Sequence, residues 1–530
     1  ALTAATATQD INVDGVITDG YTGTGVVVGV VDTGLELAHE DLAANIVSGG
    51  SWDFRGNDND PTNTNTDSTH GDHGSSVAGL IASVGWNAKG GRGVAPSASL
   101  RGFNFIRDGV SQTNATYVNA TGGASYSSPV HIFNMSIGAT LDGTNTTFNT
   151  TRYNGLVNGI TNLRSGKGAI YVKSAGNEFR AANHDCVTNY SRNDDLITCQ
   201  NANKEPVNGF PGFITVGALA ADGTHSSYSS TGSSIWVSAP GGEHGLHTNA
   251  GWSTSNYPAK YFTPALMTVD QSGCSQGTVA SSGRSPYNAF NAGNHSLNAS
   301  CNYVSTFNGT SSAAPVTSGA IALMLEANSA LTWRDVKHIL ATTSDQVDAS
   351  KAAITMSVNG TSYTLEDAWV TNGAGHKYHN WYGFGRVNAG AAVAAAKVYS
   401  AGSLGTYGST SYQSSGTVNE WILDNTAAGL TNTISVSTTN TIEAVQIKVN
   451  VAHLFIGDIA IELTSPAGTK SILMNPMNNG GSGDHYINFE LTSNAFYGES
   501  MNGNWTARFV DVEAGSQGYL ANWSIRFFGH

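Results

Sequence analysis

A glycine-punctuated run of β-branched residues near the N-terminus constrains the fold more than any other feature. Residues 20–31 are Gly-Tyr-Thr-Gly-Thr-Gly-Val-Val-Val-Gly-Val-Val. An apolar run without polar alternation is typical of a strand buried on both faces, and such strands belong to parallel sheets covered by helices. Residues 131–136 and 169–174 predict two further strands, with helical segments between them. The predicted fold class is therefore α/β, with a doubly wound, mostly parallel sheet.

The composition and the hydrophobic pattern of the chain change after residue 398. Residues 399–416 carry no charge and many small polar residues, a composition typical of a linker. Beyond it, short segments alternate with period two and turns separate them, which predicts an all-β sandwich or jelly roll. We therefore predict an α/β domain over 1–398, a linker over 399–416 and a β-sandwich over 417–530. Helices of the first domain are predicted at 73–84, 312–327, 330–342 and 388–398.

Charge and hydropathy exclude two classes of partner. The 530 residues include 24 Lys and Arg against 38 Asp and Glu, a net charge of −14 that repels polyanions. Apolar runs such as 321–325 are far shorter than the roughly 20 residues that span a bilayer. We expect no nucleic-acid partner and no membrane segment. The chain begins Ala1-Leu2-Thr3 with no targeting segment, so we expect a processed, mature form.

The four cysteines indicate the redox environment in which the protein resides. Cys186, Cys199, Cys274 and Cys301 show no metal-type spacing and allow three pairings, of which Cys186–Cys199 with Cys274–Cys301 is the least demanding. Two disulfides indicate an oxidising compartment, and two pairs of buried thiols are the alternative. Sequons such as Asn145-Thr146-Thr147 arise from a composition rich in Asn and Thr, so we do not expect glycosylation.

Three short segments place a reactive side chain beside small residues. Asp32 ends the first strand in Val30-Val31-Asp32-Thr33-Gly34, His73 opens a predicted helix, and Ser311 follows the turn at Asn308-Gly309. A carboxylate, an imidazole and a hydroxyl are the orienting group, general base and nucleophile of covalent acyl transfer. Asp-Thr-Gly also occurs in aspartic proteases, but the second such Asp that they need is absent from the sequence.

With all three segments in the order Asp, His, Ser, residues 10–398 resemble the subtilisin-like serine proteases. The resemblance extends to Gly93-Val94-Ala95-Pro96, Ser174-Ala175-Gly176-Asn177 and the segment 383–389. The C-terminal region resembles the P domain of proprotein convertases in 457–459, 463–469 and 518–523, which indicates the kexin/furin-like branch.

The resemblance implies catalytic roles. Ser311 is the expected nucleophile, His73 the base and Asp32 its orienter, and Asn177 with the Ser311 N–H is the expected oxyanion hole. His70 competes with His73 within 70–74, but only His73 keeps Val77-Ala78-Gly79 in register. An extended substrate is expected to pair with Ser136, Ile137 and Gly138. The opposing hypothesis is an inert homologue with the same fold.

Specificity is expected to depart from that of the convertases. Thr33 stands where those enzymes have a second Asp, and the pocket floor at 207–212, including Asn208 and Gly209, is neutral. Because an uncharged floor cannot compensate the desolvation of Lys or Arg, we expect broader specificity. Asp142, beside Leu141 in the pocket wall, is the one acid that favours the alternative, a processing protease that cuts after basic residues.

The resemblance also implies structural Ca²⁺. Its expected ligands are Asp41, Asn87 and the carbonyls of Val84, Lys89 and Gly91, all hard oxygens. Asp53, Asp58 and Asp60 reproduce the spacing of a second calcium site, and a solvated acidic loop is the alternative. The furin calcium site beside the specificity pocket would need acids at three positions, which correspond here to Leu141, Asp185 and Ser230. Because Leu141 and Ser230 are not acids, we do not expect this site.

The sequence therefore predicts an extracellular serine endopeptidase that hydrolyses protein and peptide substrates. Expected partners are a removed propeptide and a dedicated chaperone or inhibitor, and we expect a monomer. From another class of function, an adhesive or carbohydrate-binding protein that uses an inert protease fold is the alternative.

Overall fold

The computed structural model describes residues 9–63, 73–138, 148–180, 196–246, 258–280, 288–478 and 485–530, with 248, 253 and 255. Its centre is a six-stranded parallel sheet in the order β2-β1-β3-β4-β5-β6. The first strand, predicted from the valine run, lies inside the sheet and pairs on both sides. The six strands of the sheet are β1 Val27–Val31, β2 Ser99–Phe103, β3 Ile132–Met135, β4 Ile170–Ser174, β5 Phe213–Leu219 and β6 Val237–Pro240.

Helices cover this sheet, and the longest is buried over most of its length. Every residue from Thr310 to Leu325 is buried, and its apolar and small side chains pack against the strands. The predicted helices end within three residues of the observed bounds. The α-helices are α1 Asp14–Thr18, α2 His73–Ala82, α3 Asn114–Val118, α4 Thr150–Asn162, α5 Gly277–Ala280, α6 Thr310–Ala327, α7 Trp333–Thr343 and α8 Ala389–Val398.

Two hairpins and a short ribbon extend the first domain. The strands β7 Leu266–Val269 and β8 Tyr303–Phe307 pair antiparallel, and the predicted Cys274–Cys301 disulfide closes their connection. The second hairpin turns at Asn359-Gly360, both with positive φ, as a two-residue turn requires. Sequence analysis did not predict that hairpin or the ribbon. Their strands are β9 Ile354–Val358, β10 Thr361–Glu366, β11 Val370–Thr371 and β12 Lys377–Tyr378.

The C-terminal region is an all-β sandwich, as predicted. One sheet has the order β13-β22-β17-β20 with β14 and β15 also on β22, and the other has the order β16-β21-β18-β19. Their inner faces enclose a core that includes Trp505, Trp523 and Phe527. The strands are β13 Gly408–Ser409, β14 Gln413–Ser414, β15 Glu420–Ile422, β16 Leu430–Val436, β17 Ile442–Ala452, β18 Ile459–Thr464, β19 Lys470–Met474, β20 His485–Ser493, β21 Gly503–Asp511 and β22 Gly518–Gly529.

Polar side chains join the sandwich to the first domain. Asn203 donates to the carbonyls of Leu473 and Thr492 at 3.0 and 3.1 Å and accepts from Thr492 N at 3.1 Å. Arg334 on α7 donates through Nε to both carboxylate oxygens of Glu443, at 3.1 and 3.0 Å. Because these groups are buried, each needs its partner across the boundary. The two parts are therefore fixed to one another by specific bonds.

Glu366 is a buried carboxyl at the same boundary. Its Oε2 accepts from Asn380 Nδ2 at 3.1 Å, and Asn380 also donates to the Ile472 carbonyl of β19 at 2.9 Å. Among the described residues Glu366 Oε1 has no hydrogen-bond partner. Burial raises the pKa of Glu366 to about 8. The protonated form is therefore the one that this site accommodates.

This shift predicts a pH-dependent stability. The folded-state pKa lies above the unfolded value. The contribution of protonated Glu366 to folding stability is therefore full below about pH 4.5 and is lost as pH rises through about 8, at about 1.4 kcal/mol per pKa unit. Glu366→Gln is therefore expected to match the wild type at pH 5 and to melt at a higher temperature at pH 8. Glu420→Gln, at an exposed position, is the control. Equal melting of wild type and Glu366→Gln at pH 8 would contradict the assignment.

Candidate active site

Asp32 and His73 meet at the carboxyl edge of the parallel sheet. Asp32 follows β1, where the strand order reverses between β2 and β3, and such switch points hold ligand sites in open α/β sheets. His73 is the first residue of α2, and its Nδ1 lies 2.7 Å from Asp32 Oδ1. Asp32 is fully buried, whereas the His73 side chain is 17% exposed. The imidazole is thus oriented by a buried carboxylate and reaches the surface.

Close packing holds that pair in place. A Cβ on Gly74 would lie 2.0 Å from the Gly34 carbonyl oxygen and 3.1 Å from Asp32 Cβ. Only glycine fits after His73 at this separation. The start of α2 can therefore approach the turn after β1 closely enough for the hydrogen bond between His73 and Asp32.

Ser311 lies at the beginning of the buried helix α6. Gly309, with φ of +103°, precedes the helix, and a conformation of this kind favours glycine. The Ser311 hydroxyl lies 3.4 Å from the Ser136 carbonyl oxygen, and Ser136 Oγ donates to the Ser311 carbonyl at 2.8 Å. Because Ser136 follows β3, these bonds tie the start of α6 to the strand end next to Asp32.

Asn177, just after β4, completes this edge. Its Oδ1 accepts from Thr310 N at 2.8 Å and from Thr310 Oγ1 at 2.9 Å. A Cβ on Gly309 would lie 3.4 Å from both Asn177 Nδ2 and the Ser311 backbone nitrogen. The Asn177 amide and the Ser311 backbone nitrogen therefore border one small space at the start of α6. Groups of this kind stabilise a developing oxyanion.

A cavity of about 140 Å³ opens beside His73. The ring of Phe307 lies 5.4 Å from that of His73, centroid to centroid. Burial lowers the pKa of His244, whose ring packs 4.1 Å from Tyr261. The lining residues are His73, His244, Thr278, Val304, Thr306, Phe307 and Asn308.

The predicted floor residues Asn208 and Gly209 end a short 3₁₀ helix, Pro206–Gly209. Gln446 Nε2, on β17 of the sandwich, donates to the Gly209 carbonyl at 2.5 Å, and Thr492 Oγ1 donates to it at 3.2 Å. Asn208 Nδ2 donates to the Ala202 carbonyl at 2.9 Å. The C-terminal sandwich therefore holds this segment directly.

An ion pair that sequence analysis missed lies next to the floor. Lys173 Nζ on β4 is 2.8 Å from Glu205 Oε2, and the two side chains are 1% and 11% exposed. A Cβ on Gly138 would lie 3.2 Å from the same Glu205 oxygen. A paired carboxylate therefore borders Gly138, beside the neutral floor segment 207–212. Lys173 gave the signal, since a lysine inside a buried strand requires a partner.

Hydrogen bonds join four of the five predicted calcium residues. Asn87 Nδ2 donates to Asp41 Oδ1 at 2.6 Å, the Asp41 carbonyl accepts from Val84 N at 2.9 Å, and Lys89 N donates to Asn87 Oδ1 at 3.1 Å. Asp41 Oδ2 is buried with no hydrogen-bond partner among the described residues, and burial raises the pKa of Asp41. A hard cation would satisfy such an oxygen, and the hard-oxygen donors around Asp41 fit Ca²⁺.

The second predicted set is arranged differently. Asp53 Oδ2 lies 3.3 Å from the guanidinium of Arg107, and Asp53 Oδ1 accepts from Asn104 and Arg55 N. Asp58 and Asp60 are exposed. Within the described ranges, the three carboxylates do not form a compact ligand group. Asp53 is therefore buried and paired with Arg107, whereas Asp58 and Asp60 are exposed.

One compact group of ligand-type side chains does occur in the described part of the chain: His453, Asp458 and Asp511. His453 Nε2 lies 3.0 Å from Asp511 Oδ2, and both residues are buried in the sandwich. Burial lowers the pKa of His453, but the hydrogen bond and charge of Asp511 raise it above its ordinary value. Sequence analysis did not single out this group.

Several predicted residues lie outside the described residues: His70, Leu141, Asp142, Asp185 and Cys186. Cys199, the predicted partner of Cys186, is disulfide-bonded. Ser230, which is described, donates through Oγ to Glu178 Oε2 at 3.3 Å. In the described ranges no helix has both the length and the apolar character to cross a membrane.

Two protein families and several known proteases are similar to this chain. The sequence model of the subtilase family matches residues 23–385, and that of the proprotein convertase P-domain matches residues 442–527. The extracellular serine protease of Aeromonas sobria is 34% identical, over 99% of this chain and 87% of the relative. Furin-1 of Xenopus laevis is 27% identical, over 98% of this chain and 57% of the relative.

A solved structure covers the same length. The crystal structure of the Aeromonas sobria serine protease in complex with the chaperone ORF2 superimposes with a TM-score of 0.88 and 31% identity, over 99% of this chain and 92% of that chain. The chain therefore belongs to the subtilase family, in which it is a serine endopeptidase with a C-terminal P domain.

Proposed function

We propose that Ser311, His73, Asp32 and Asn177 carry the peptide-bond hydrolysis. The observation that carries this proposal is the 2.7 Å bond between His73 Nδ1 and Asp32 Oδ1 at the edge where α6 begins. Asp32 accepts from Nδ1 and so fixes the orientation of the imidazole, whose Nε2 is the proposed proton acceptor. His73 then acts as the general base for Ser311 and returns the proton to the leaving amine.

The tetrahedral intermediate that precedes the acyl-enzyme is stabilised at the same edge, and a tetrahedral intermediate forms there again when water hydrolyses the acyl-enzyme. Ser311 Oγ attacks the scissile carbonyl, and the developing oxyanion accepts hydrogen bonds from Asn177 Nδ2 and the Ser311 N–H. Thr310 supports this role, because its two bonds to Asn177 Oδ1 leave the amide NH₂ group for the oxyanion. The substrate backbone pairs with Ser136, Ile137 and Gly138 as an added strand.

We propose a specificity broader than that of kexin. Asn208 and Gly209 present neutral groups, and Glu205 is already paired with Lys173 at 2.8 Å. A neutralised carboxylate compensates little of the desolvation of a Lys or Arg side chain. The second candidate is a processing protease that cuts after basic residues, and the position of Glu205 beside Gly138 favours it.

Paired peptides decide between these specificities. Two fluorogenic peptides differ only before the scissile bond, with Lys-Arg in one and Ala-Phe in the other. Comparable kcat/KM values, or a preference for Phe, are expected. A strong Lys-Arg preference that disappears in Glu205→Gln would support the processing enzyme instead.

Ser311→Ala is the control for both peptides, and loss of all cleavage in that variant is expected. If neither peptide is cut by the wild type, the alternative of an inert binding protein gains support. Cleavage that survives Ser311→Ala would contradict the assignment of the nucleophile.

We propose that structural Ca²⁺ binds at Asp41, Asn87 and the carbonyls of Val84, Lys89 and Gly91. The cation would neutralise the Asp41 oxygen that lacks a partner and brace the loop beside it. Strain supports this site, since Trp86 and Ala88 in the loop have φ of +61° and +60°. Bound ligand compensates strain of this kind.

Calcium removal tests the site by its effect on stability. EDTA is expected to lower the melting temperature, because a cation held at 100 times its Kd contributes about 2.7 kcal/mol. Asp41→Asn should have the lowered melting temperature both with and without EDTA, whereas Asp53→Asn should still lose melting temperature when EDTA is added. A wild-type melting temperature that EDTA does not change would contradict the proposed calcium site.

We propose that the P domain also braces the pocket floor through Gln446. Gln446→Leu removes the donor to the Gly209 carbonyl and leaves Arg526 without its acceptor on Gln446. A KM increase of about threefold with little change in kcat is expected, which corresponds to less than 1 kcal/mol. Gln413→Leu, on the peripheral strand β14, is the control. An unchanged KM would show that the floor does not depend on this bond.

We propose an extracellular, monomeric enzyme acting on proteins and peptides, with the domain division at 399–416. The related serine protease of Aeromonas sobria has been crystallised with a chaperone. A dedicated chaperone, a propeptide or an inhibitor is the corresponding partner proposed for this chain.

A further inference from the structure

Lys337 is a buried lysine on α7 whose amino group meets the end of the segment 207–212. It is 6% exposed. Its Nζ donates to the Pro211 carbonyl at 2.6 Å and to the Phe213 carbonyl at 3.0 Å. Sequence analysis placed Lys337 in a predicted helix and gave it no role. Because a buried polar group needs such partners, the two carbonyls determine where the amino group lies.

The amino group also lies against an aromatic ring. Lys337 Nζ is 3.9 Å from the centre of the fully buried Trp236 ring, in a cation–π contact. Trp236 Nε1 donates in turn to the Lys337 carbonyl at 3.1 Å, and Trp236 N donates to the Thr215 carbonyl of β5 at 2.8 Å. The Lys337 side chain is therefore held between its own helix, Trp236 and the start of β5.

The two bonds to carbonyls do not depend on the charge of Lys337. Burial lowers the pKa of Lys337 to about 7, and the negative charge of Glu443 on β17 opposes this shift. The charged form has three N–H groups and the neutral amine has two. Either form can therefore donate to both carbonyls at once.

These carbonyls flank a tight turn between the segment 207–212 and β5. Phe213, the first residue of β5, donates through its backbone N to the Phe210 carbonyl at 2.9 Å. A Cβ on Gly212 would lie 2.5 Å from Phe210 Cε1, so the turn has no spare room. Because Pro211 has no N–H, hydrogen bonds can hold its backbone only through its carbonyl. Lys337 supplies a donor for that carbonyl.

The other end of the segment is joined to the proposed substrate-binding strand. Asn208 N donates to the Glu205 carbonyl at 2.9 Å, and a Cβ on Gly138 would lie 3.2 Å from the Glu205 carboxylate. Gly209 is held from the side of the sandwich. The segment is thus fixed at three points, and Lys337 holds it from the buried core of the first domain.

We propose that Lys337 is a positioning residue for specificity, which fixes the depth of the specificity pocket by holding the Pro211 and Phe213 carbonyls. The inference rests on the proposed function, since it takes the segment 207–212 as the pocket floor. Lys337 acts through the backbone of this segment and does not touch the substrate. A large side chain before the scissile bond reaches the floor, whereas a methyl group does not. Loss of the amino group therefore weakens the binding of large side chains selectively.

Two fluorogenic peptides that differ only before the scissile bond, with Phe in one and Ala in the other, test the proposal. Lys337→Met keeps the apolar stem of the side chain and removes its N–H groups. The KM of this variant for the Phe peptide is expected to rise about threefold with kcat unchanged, because the floor binds the side chain but takes no part in the chemistry. Both constants for the Ala peptide should equal those of the wild type.

Lys351→Met is the matched control, because Lys351 Nζ makes the same kind of contact, 3.6 Å from the centre of the Trp381 ring. It should leave the KM of both peptides unchanged. If Lys337→Met does not fold, Lys337→Gln retains a shorter polar side chain and should raise the KM for the Phe peptide in the same selective way. Equal changes for the two peptides, or an unchanged KM for the Phe peptide, would overturn the proposal.

Direct binding separates this inference from the proposed catalysis. Calorimetry compares the affinity of both peptides for Ser311→Ala with and without Lys337→Met, so that no turnover is needed. The double variant should bind the Phe peptide about threefold more weakly and the Ala peptide equally well. If the wild type cuts neither peptide but this difference in affinity is present, the catalytic assignment is wrong and the inference stands. If the wild type cuts both peptides but the affinity for the Phe peptide does not depend on Lys337, the inference is wrong and the proposed catalysis stands.

Discussion

The buried helix α6 is the element on which the active site depends. Its residues from Thr310 to Leu325 lie inside the first domain, in contact with strands of the sheet and with α2 and α8. A helix enclosed in this way cannot move along its axis without opening the core. The first turn, which carries Ser311, is therefore fixed relative to the strand ends that carry Asp32, Ser136 and Asn177. The positive end of its dipole and the Ser311 N–H lie at the same edge, where negative charge is stabilised.

Much of this arrangement could be predicted from the sequence because the signals are local. The valine run identified β1, and its end located Asp32. Small residues around His73 and Ser311 marked tight turns, and parallel strands bring their carboxyl ends to one edge. The order of the segments then suggested the family. The hairpin Ile354–Glu366 also had a local signal, Asn359-Gly360, which lay within a stretch assigned only to the catalytic domain.

What could not be predicted depends on partners far apart in the sequence. Lys173 indicates a buried charge, but the sequence does not show that Glu205 is its partner. The segment between the two residues has no periodic pattern that would predict the contact. The calcium role of Asp53 stays a prediction. Its spacing to Asp58 and Asp60 matches a calcium loop, and only the structure shows that Arg107 pairs with the same carboxylate.

The boundary between the domains bears on how modular this chain is. Burying Asn203, Gln446, Arg334 and Glu443 costs desolvation, and only specific partners on the other domain repay it. An apolar contact would tolerate sliding, whereas these bonds specify one register between β17, β20 and the segment that ends at Gly209. The segment that ends at Gly209, the proposed floor of the specificity pocket, is therefore held by both domains. A change in the P domain that shifts β17 relative to Gly209 alters the pocket without touching a residue of the catalytic fold.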